Sequence, residues 1–318
     1  MRTAFIETLF KLAKKDERVV LVVGDLGFGV VECFMREIPN QFVNAGVAEQ
    51  NMTGLATGMA LSGKIVFTYS IANFPVIRCL EQIRNDVCYH NANVKIVAVG
   101  CGMAYGALGI SHHATEDLAI MRALPNMIVV APADPIETTL ATNALVEHEG
   151  PAYLRLGRAG EPIVHGSIPN FQLGKAITVR QGNDITLIST GGQLFETIKA
   201  ADVLCTQGIQ ARVLSMHTLK PLDSEAVLAA ASQTSAIFTI EEHSVIGGLG
   251  GAVAEVLAEA NLTLHYFKRI GLNDTFSSMV GDQDFLRVQY GLDSSGILGT
   301  IEKILGLSIP DLRKRVAR

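Results

Sequence analysis

The chain has 318 residues, 48% hydrophobic and 18% charged, with a formal net charge of −5. This is too apolar for a disordered chain, and the longest uncharged run, Ile96 to Ser111, is too short and too often broken by glycine to span a membrane. The charges are dispersed, so neither nucleic acid nor an anionic membrane is favoured as a partner, and the basic cluster Arg313-Lys314-Arg315 with Arg318 reads as a solvated terminus. Along the chain, Phe5, Leu9 and Leu12 form one face of a helix over residues 3–15; with Glu7 in the same stretch this is unlike a signal peptide, and a cytoplasmic protein is expected. Strands follow at Val19 to Val23, Phe42 to Asn44, Ile65 to Thr68, Val94 to Val99, Met127 to Ala131 and Ala152 to Leu156, with helices over 48–62, 76–90, 115–123 and 135–148 between them. Valine- and isoleucine-rich runs alternating with helical patterns argue for α/β architecture with parallel sheets. Residues 159–176 hold prolines and glycines without periodicity, as a linker does, and strands resume at Ile185 to Ser189, Arg212 to Met216, Ala236 to Ile240 and Thr263 to Phe267. Cysteines 33, 79, 88, 101 and 205 form no C-x-x-C pair, so they read as core thiols in a reducing compartment, with no structural metal.

Within Asn44-Ala45-Gly46-Val47-Ala48-Glu49-Gln50, one carboxylate stands at the mouth of a helix that is otherwise apolar or small. There Glu49 would see the positive end of the helix dipole and stay ionised where water is scarce, although composition alone favours an exposed first-turn Glu. Met52, Leu55 and Met59 fall on one face, and Gly54, Ala56, Gly58 and Ala60 allow close packing. Two glycine-rich turns follow strands. Gly24-Asp25-Leu26-Gly27-Phe28-Gly29 has the wrong spacing for a dinucleotide fingerprint, and Gly247-Gly248-Leu249-Gly250-Gly251 lacks the downstream acid. The pair His112-His113 has no third ligand at a helical offset, which leaves a metal site poorly supported.

The segment around Glu49 resembles the pyrimidine-binding domain of the transketolase family, where a Glu in G-x-x-E meets thiamine diphosphate. That resemblance implies that Glu49 engages the aminopyrimidine ring and favours the form of it that takes up the C2 proton. It further implies that Phe74 stacks on the ring, with Ile71 and Tyr69 as the fallback wall. His112, in the family's G-x-x-G-x-[ST]-H loop, would contact the sugar, with His113 ranked second. Arg158, in Arg155-Leu156-Gly157-Arg158, would grip the substrate's distal anion. Arg155 and Arg2 would help, while surface ion pairing remains open for Arg155. Leu108 and Gly100 stand where transketolases carry polar donor contacts, which implies a sugar other than the usual pentulose phosphate. Glu242 and His243 are candidates to approach the active site.

The resemblance covers two of a full transketolase's three domains: a pyrimidine-binding domain over 1–165, a linker over 166–176 and a transketolase C-terminal domain over 177–318, both doubly wound α/β. No G-D-G motif for the diphosphate's Mg²⁺ occurs in the sequence. The expectation is therefore one subunit of a split transketolase. It would share thiamine diphosphate with an N-terminal subunit that holds the metal, and make a homodimer contact within a heterotetramer. The glycine-rich surfaces around 46–60 and 247–252 are expected to bury partners. The rivals are the β subunit of a 2-oxo acid dehydrogenase E1 component, which shares both domains and the Glu, and a catalytically silent scaffold subunit.

Overall fold

A computed structural model describes residues 1–260 and 266–306. The basic cluster at 313–318 and the first three residues of the strand expected at Thr263 to Phe267 lie outside the described residues. The first sheet runs β10-β5-β6-β4-β3-β1-β2. Its strands are β1 (Val19–Val23), β2 (Phe42–Asn44), β3 (Ile65–Ile71), β4 (Val94–Val99), β5 (Ile128–Val130), β6 (Ala152–Leu156) and β10 (Thr218–Lys220). The second runs β12-β11-β8-β9-β7, from β7 (Ile177–Arg180), β8 (Ile185–Ser189), β9 (Ala211–Ser215), β11 (Ala236–Ser244) and β12 (Tyr266–Leu272). All pairings are parallel except β7 with β9 and β10 with β5. Strands β1, β4 and β6 are buried at every residue, which is why they read as mostly apolar runs, broken only by Lys95 and Arg155: helices cover both faces.

Those helices are α1 (Arg2–Ala13), α2 (Glu32–Glu37), α3 (Glu49–Leu61), α4 (Leu80–Gln82, continuing as a π-helical turn to Cys88), α5 (Asp117–Ala123) and α6 (Pro135–Glu147) in the first half. In the second half they are α7 (Gln193–Thr206), α8 (Ser224–Gln233), α9 (Leu249–Glu259), α10 (Gln283–Gln289) and α11 (Ser294–Leu305). Helix α6 starts where Asp134-Pro135 says it should, the Asp134 side chain accepting from the Glu137 N–H. Helix α3 departs from expectation. It buries Glu49, Met52, Thr53, Ala56 and Thr57, while Leu55, Gly54 and Gly58 face outward with nothing against the two glycines.

Strand β10 was not anticipated. It belongs by sequence to the second half but pairs with β5, Thr218 opposite Val130, so the two sheets are stitched together. A buried cluster reinforces the seam: Glu137 Oε1 accepts from His165 Nε2 at 2.8 Å and from Ser215 Oγ at 2.7 Å. The hydrogen bond to Glu137 raises the His165 pKa above 6.5 despite burial. Burial opposes ionisation of Glu137, yet His165 and its other donors hold its pKa below 4.5. A raised histidine pKa contributes stability that is complete below the unfolded value and fades as pH rises through the folded one. The stability lost in His165→Gln, followed by urea unfolding, should therefore be largest near pH 6 and shrink towards pH 8.5. A loss that grows with pH would remove the charged pair from the account.

Candidate active site

The loops at the carboxyl ends of β2, β3, β4 and β6 carry the candidate residues. After β2 the chain turns at Gly46, whose φ is +74°, and enters α3 with Glu49 in its first turn, 3% exposed. Its Oε2 accepts from Arg78 Nη1 at 2.9 Å, and Arg78, 47% exposed, lays its guanidinium over the Phe74 ring 4.4 Å from the centroid. Phe74 in turn meets the His112 ring edge-on, with centroids 5.1 Å apart. The Tyr105 ring lies 6.3 Å from His112, and the Arg158 guanidinium lies 5.8 Å from the centroid of Tyr105. Glu49, Phe74, His112 and Arg158, separated by up to 109 positions in sequence, thus form one continuous array.

Two members of that array, Arg78 and Tyr105, were missed in the sequence. Arg78 had a signal: it follows Phe74 by four residues, the spacing that brings side chains together over one helical turn. Tyr105 had none, because its place depends on how the loop after β4 folds back. The Ser111 hydroxyl lies 3.0 Å from His112 Nδ1, and Asn73 Nδ2 donates to the Ser111 carbonyl at 3.3 Å, tying the Phe74 and His112 loops together. Ile71 ends β3 half-buried, its carbonyl accepting from the Phe74 N–H.

A cleft of about 1000 Å³ opens between the two halves of the molecule, with Arg2, Tyr105 and Arg158 on one wall and Glu242 and Arg287 on the other. Arg2 Nε is buried there without a hydrogen-bond partner among the described residues. Glu49 and Phe74 lie outside this cleft. Glu49 is buried at the start of α3, whose outward side exposes Leu55 and Leu61, with Val47, 75% accessible, just before the helix.

Several sequence expectations need correction. Arg155 is not free to hold substrate: it is buried, its Nε and Nη2 donating to the Asp117 carboxylate at 2.7 and 3.1 Å and Nη2 also to the carbonyls of Ala114 and Glu242. Side chains alternate along a strand, so residues three apart point to opposite sides; Arg155 lies within β6 and Arg158 beyond its end. Burial alone would raise the Asp117 pKa, but the Arg155 charge holds it below the usual carboxylate range. His113 is buried, with Nε2 3.4 Å from the Gly106 carbonyl, and serves the loop's shape rather than its surface.

Glu242 does reach the cleft, but all its capacity goes to the Met103 N–H, Gln193, Gln283 and Arg287. It anchors the His112 loop to the second half. His243 is buried behind it, and burial pushes its pKa down to about 4. The turn at 247–252 is not an outward surface either: a Cβ on Gly250 would meet Arg269 and Thr239 at 2.6 and 2.7 Å, so these glycines serve internal packing. Among the described residues, no three His, Cys, Asp or Glu side chains gather in a way that could hold a metal ion.

Residues 1–160 match the family description "Transketolase, pyrimidine binding domain" and residues 174–297 match "Transketolase, C-terminal domain". A putative transketolase C-terminal section of Methanocaldococcus jannaschii is 43% identical over 300 residues, 93% of each chain. One subunit of the apulose-4-phosphate transketolase of Phocaeicola vulgatus is 42% identical over 301 residues, 94% of this chain and 95% of the relative. A solved structure described as a split-gene transketolase, inactive β4 tetramer, superposes with a TM-score of 0.87 at 39% identity, over 96% of this chain and 98% of its own. With two matched domains, an array built on the helix-start glutamate and relatives of the same length, the chain belongs to the transketolase family.

Proposed function

We propose that this chain is the C-terminal subunit of a two-component transketolase that moves a two-carbon ketol unit between anionic sugars. In this reading the cofactor is thiamine diphosphate, shared with a partner subunit that carries the G-D-G motif and holds Mg²⁺. The observation that carries the proposal is Glu49: a buried carboxylate at the edge of an open apolar face, beside the half-exposed Phe74. A polar heterocycle suits this place, because Ser70 Oγ and Asn73 Oδ1 are buried nearby without partners among the described residues and Gly24, lacking a side chain, leaves Glu49 and Ser70 close to one another. Relatives named as transketolase subunits support a second chain as the occupant of the open face of α3. The division at residues 166–176 fits the two sheets, with β10 reaching back across it.

Bound thiamine diphosphate supplies a nucleophilic carbon able to accept and release a two-carbon unit. Glu49 would share a proton with the pyrimidine ring, Arg78 either accompanying that ring or turning out into solvent. Phe74 and Ile71 would supply the apolar wall. His112 offers a ring nitrogen to a substrate oxygen, its Nδ1 already engaged with Ser111. Arg158 and Arg2 present charge to the distal anion, while Arg155, His113 and Glu242 hold the loops that carry these groups.

Titration calorimetry tests the subunit assignment. The chain with thiamine diphosphate and Mg²⁺ should show weak binding or none and no turnover. Adding the G-D-G partner should give micromolar binding, ketol transfer and an assembly with two of each chain. Micromolar binding or turnover by this chain alone overturns the reading, and decarboxylation of pyruvate in preference to ketol transfer turns it to an E1 β subunit.

A further inference from the structure

The residue after β4 is Gly100, with a φ of +82°, and a Cβ built on it would overlap ring atoms of Tyr105. The phenol ring occupies the space that any side chain at residue 100 would need. It stands edge-on to His112 and within cation–π distance of Arg158, so it spans the distance between the two groups placed at opposite ends of the substrate. The ring is half-buried, and its hydroxyl has no hydrogen-bond partner among the described residues although it lines the same cleft as Arg2 and Arg158. Burial raises the phenol's pKa above 10 and outweighs the two arginines, so at neutral pH the hydroxyl carries its proton.

We propose that Tyr105 sets the sugar specificity of this site: its hydroxyl gives the substrate's anion a third, uncharged donor beside Arg2 and Arg158, and its ring limits the length of sugar that reaches His112. The proposal rests on the reading that the anion sits at Arg158. It follows from room and chemistry. With Gly100 bare and Leu108 apolar and exposed, Tyr105 offers that wall of the cleft an uncharged polar group beside Arg2 and Arg158. A ring with two torsions, wedged against a backbone that tolerates no side chain, offers a fixed hydroxyl at low entropic cost.

Kinetics of the two-chain enzyme with six- and seven-carbon ketose phosphates, and with the unphosphorylated six-carbon ketose, test this. Tyr105→Phe should raise KM for the phosphorylated sugars about tenfold, the effect of one neutral hydrogen bond, and leave both kcat and the neutral sugar unchanged. Tyr105→Ala should shift the kcat/KM ratio about tenfold towards the longer phosphate. Arg158→Ala is the control for the underlying reading and should raise KM for the phosphates about 10- to 100-fold. If Arg158→Ala does so but neither Tyr105 variant changes KM or the length ratio, the Tyr105 proposal is overturned and the anion site stands. If Arg158→Ala leaves the phosphates unaffected, or the neutral ketose is the better substrate, the anionic-sugar reading falls and this proposal with it.

Discussion

Glu49→Gln, assembled with its partner and saturated with thiamine diphosphate, should exchange the cofactor's C2 proton at least about 100-fold more slowly than the wild type, the usual range for a positioned proton-sharing group. Glutamine keeps the length and most of the hydrogen-bonding geometry but cannot share a proton, so the change isolates the chemistry from the packing. The residue is held on its inner side: Gly24 and Met52 are packed close by, and the α3 backbone fixes its root. Glutamine also leaves Arg78 without its anion, which could move Phe74. Arg78→Met removes the ion pair and leaves the carboxylate, and it should cost far less exchange rate than Glu49→Gln. Exchange at the wild-type rate in Glu49→Gln, or an equal loss in Arg78→Met, would show that the carboxylate is there for structure.

The largest effect on stability should come from Asp117→Asn. Asp117 and Arg155 are both buried, and Tyr153 donates its hydroxyl to the same carboxylate at 2.6 Å. Asparagine leaves a guanidinium in the interior with only carbonyls and an amide around it. Breaking one side of a buried pair costs about 3–5 kcal/mol, which for a chain of this size corresponds to roughly a 10 °C fall in Tm. Replacing Arg155 by Met should cost less, because the protein then buries an apolar group and Asp117 can take a proton. Calorimetric melting of both variants decides the matter. A loss below about 1 kcal/mol in Asp117→Asn would mean that Arg155 finds another anion, and its removal from the substrate site would then be unjustified.

Much of the first sheet was legible because its strands are buried on both faces: the sequence therefore shows them as mostly apolar runs, unbroken in β1 and interrupted only by Lys95 in β4 and Arg155 in β6. Strand β10 was not legible. Three residues, Thr218–Lys220, carry no periodicity, and their partner is a strand nearly ninety positions away. The extension of β11 to Ser244 was equally hidden, since Glu241, Glu242 and His243 look like loop residues until their buried donors and acceptors are known.

The candidate site divides along the same line. The α/β class and the position of a lone glutamate at a helix start could be read from the residues, and the resemblance to a family pointed to the loops bearing Phe74, His112 and Arg158. The class and the helix start depend on local pattern, on residues within one turn or one strand of each other, whereas the three loops were picked out by the resemblance of short motifs to a known family. Only the tertiary structure decided which of two adjacent histidines and which of two nearby arginines stays out of the core, that Arg78 bridges Glu49 to Phe74, and that Tyr105 fills the space over Gly100. The reason is physical: a charged or aromatic side chain serves structure or a ligand according to whether the chain itself satisfies it. For Arg155 the satisfying groups come from residues 114, 117 and 242, which only the folded chain brings together.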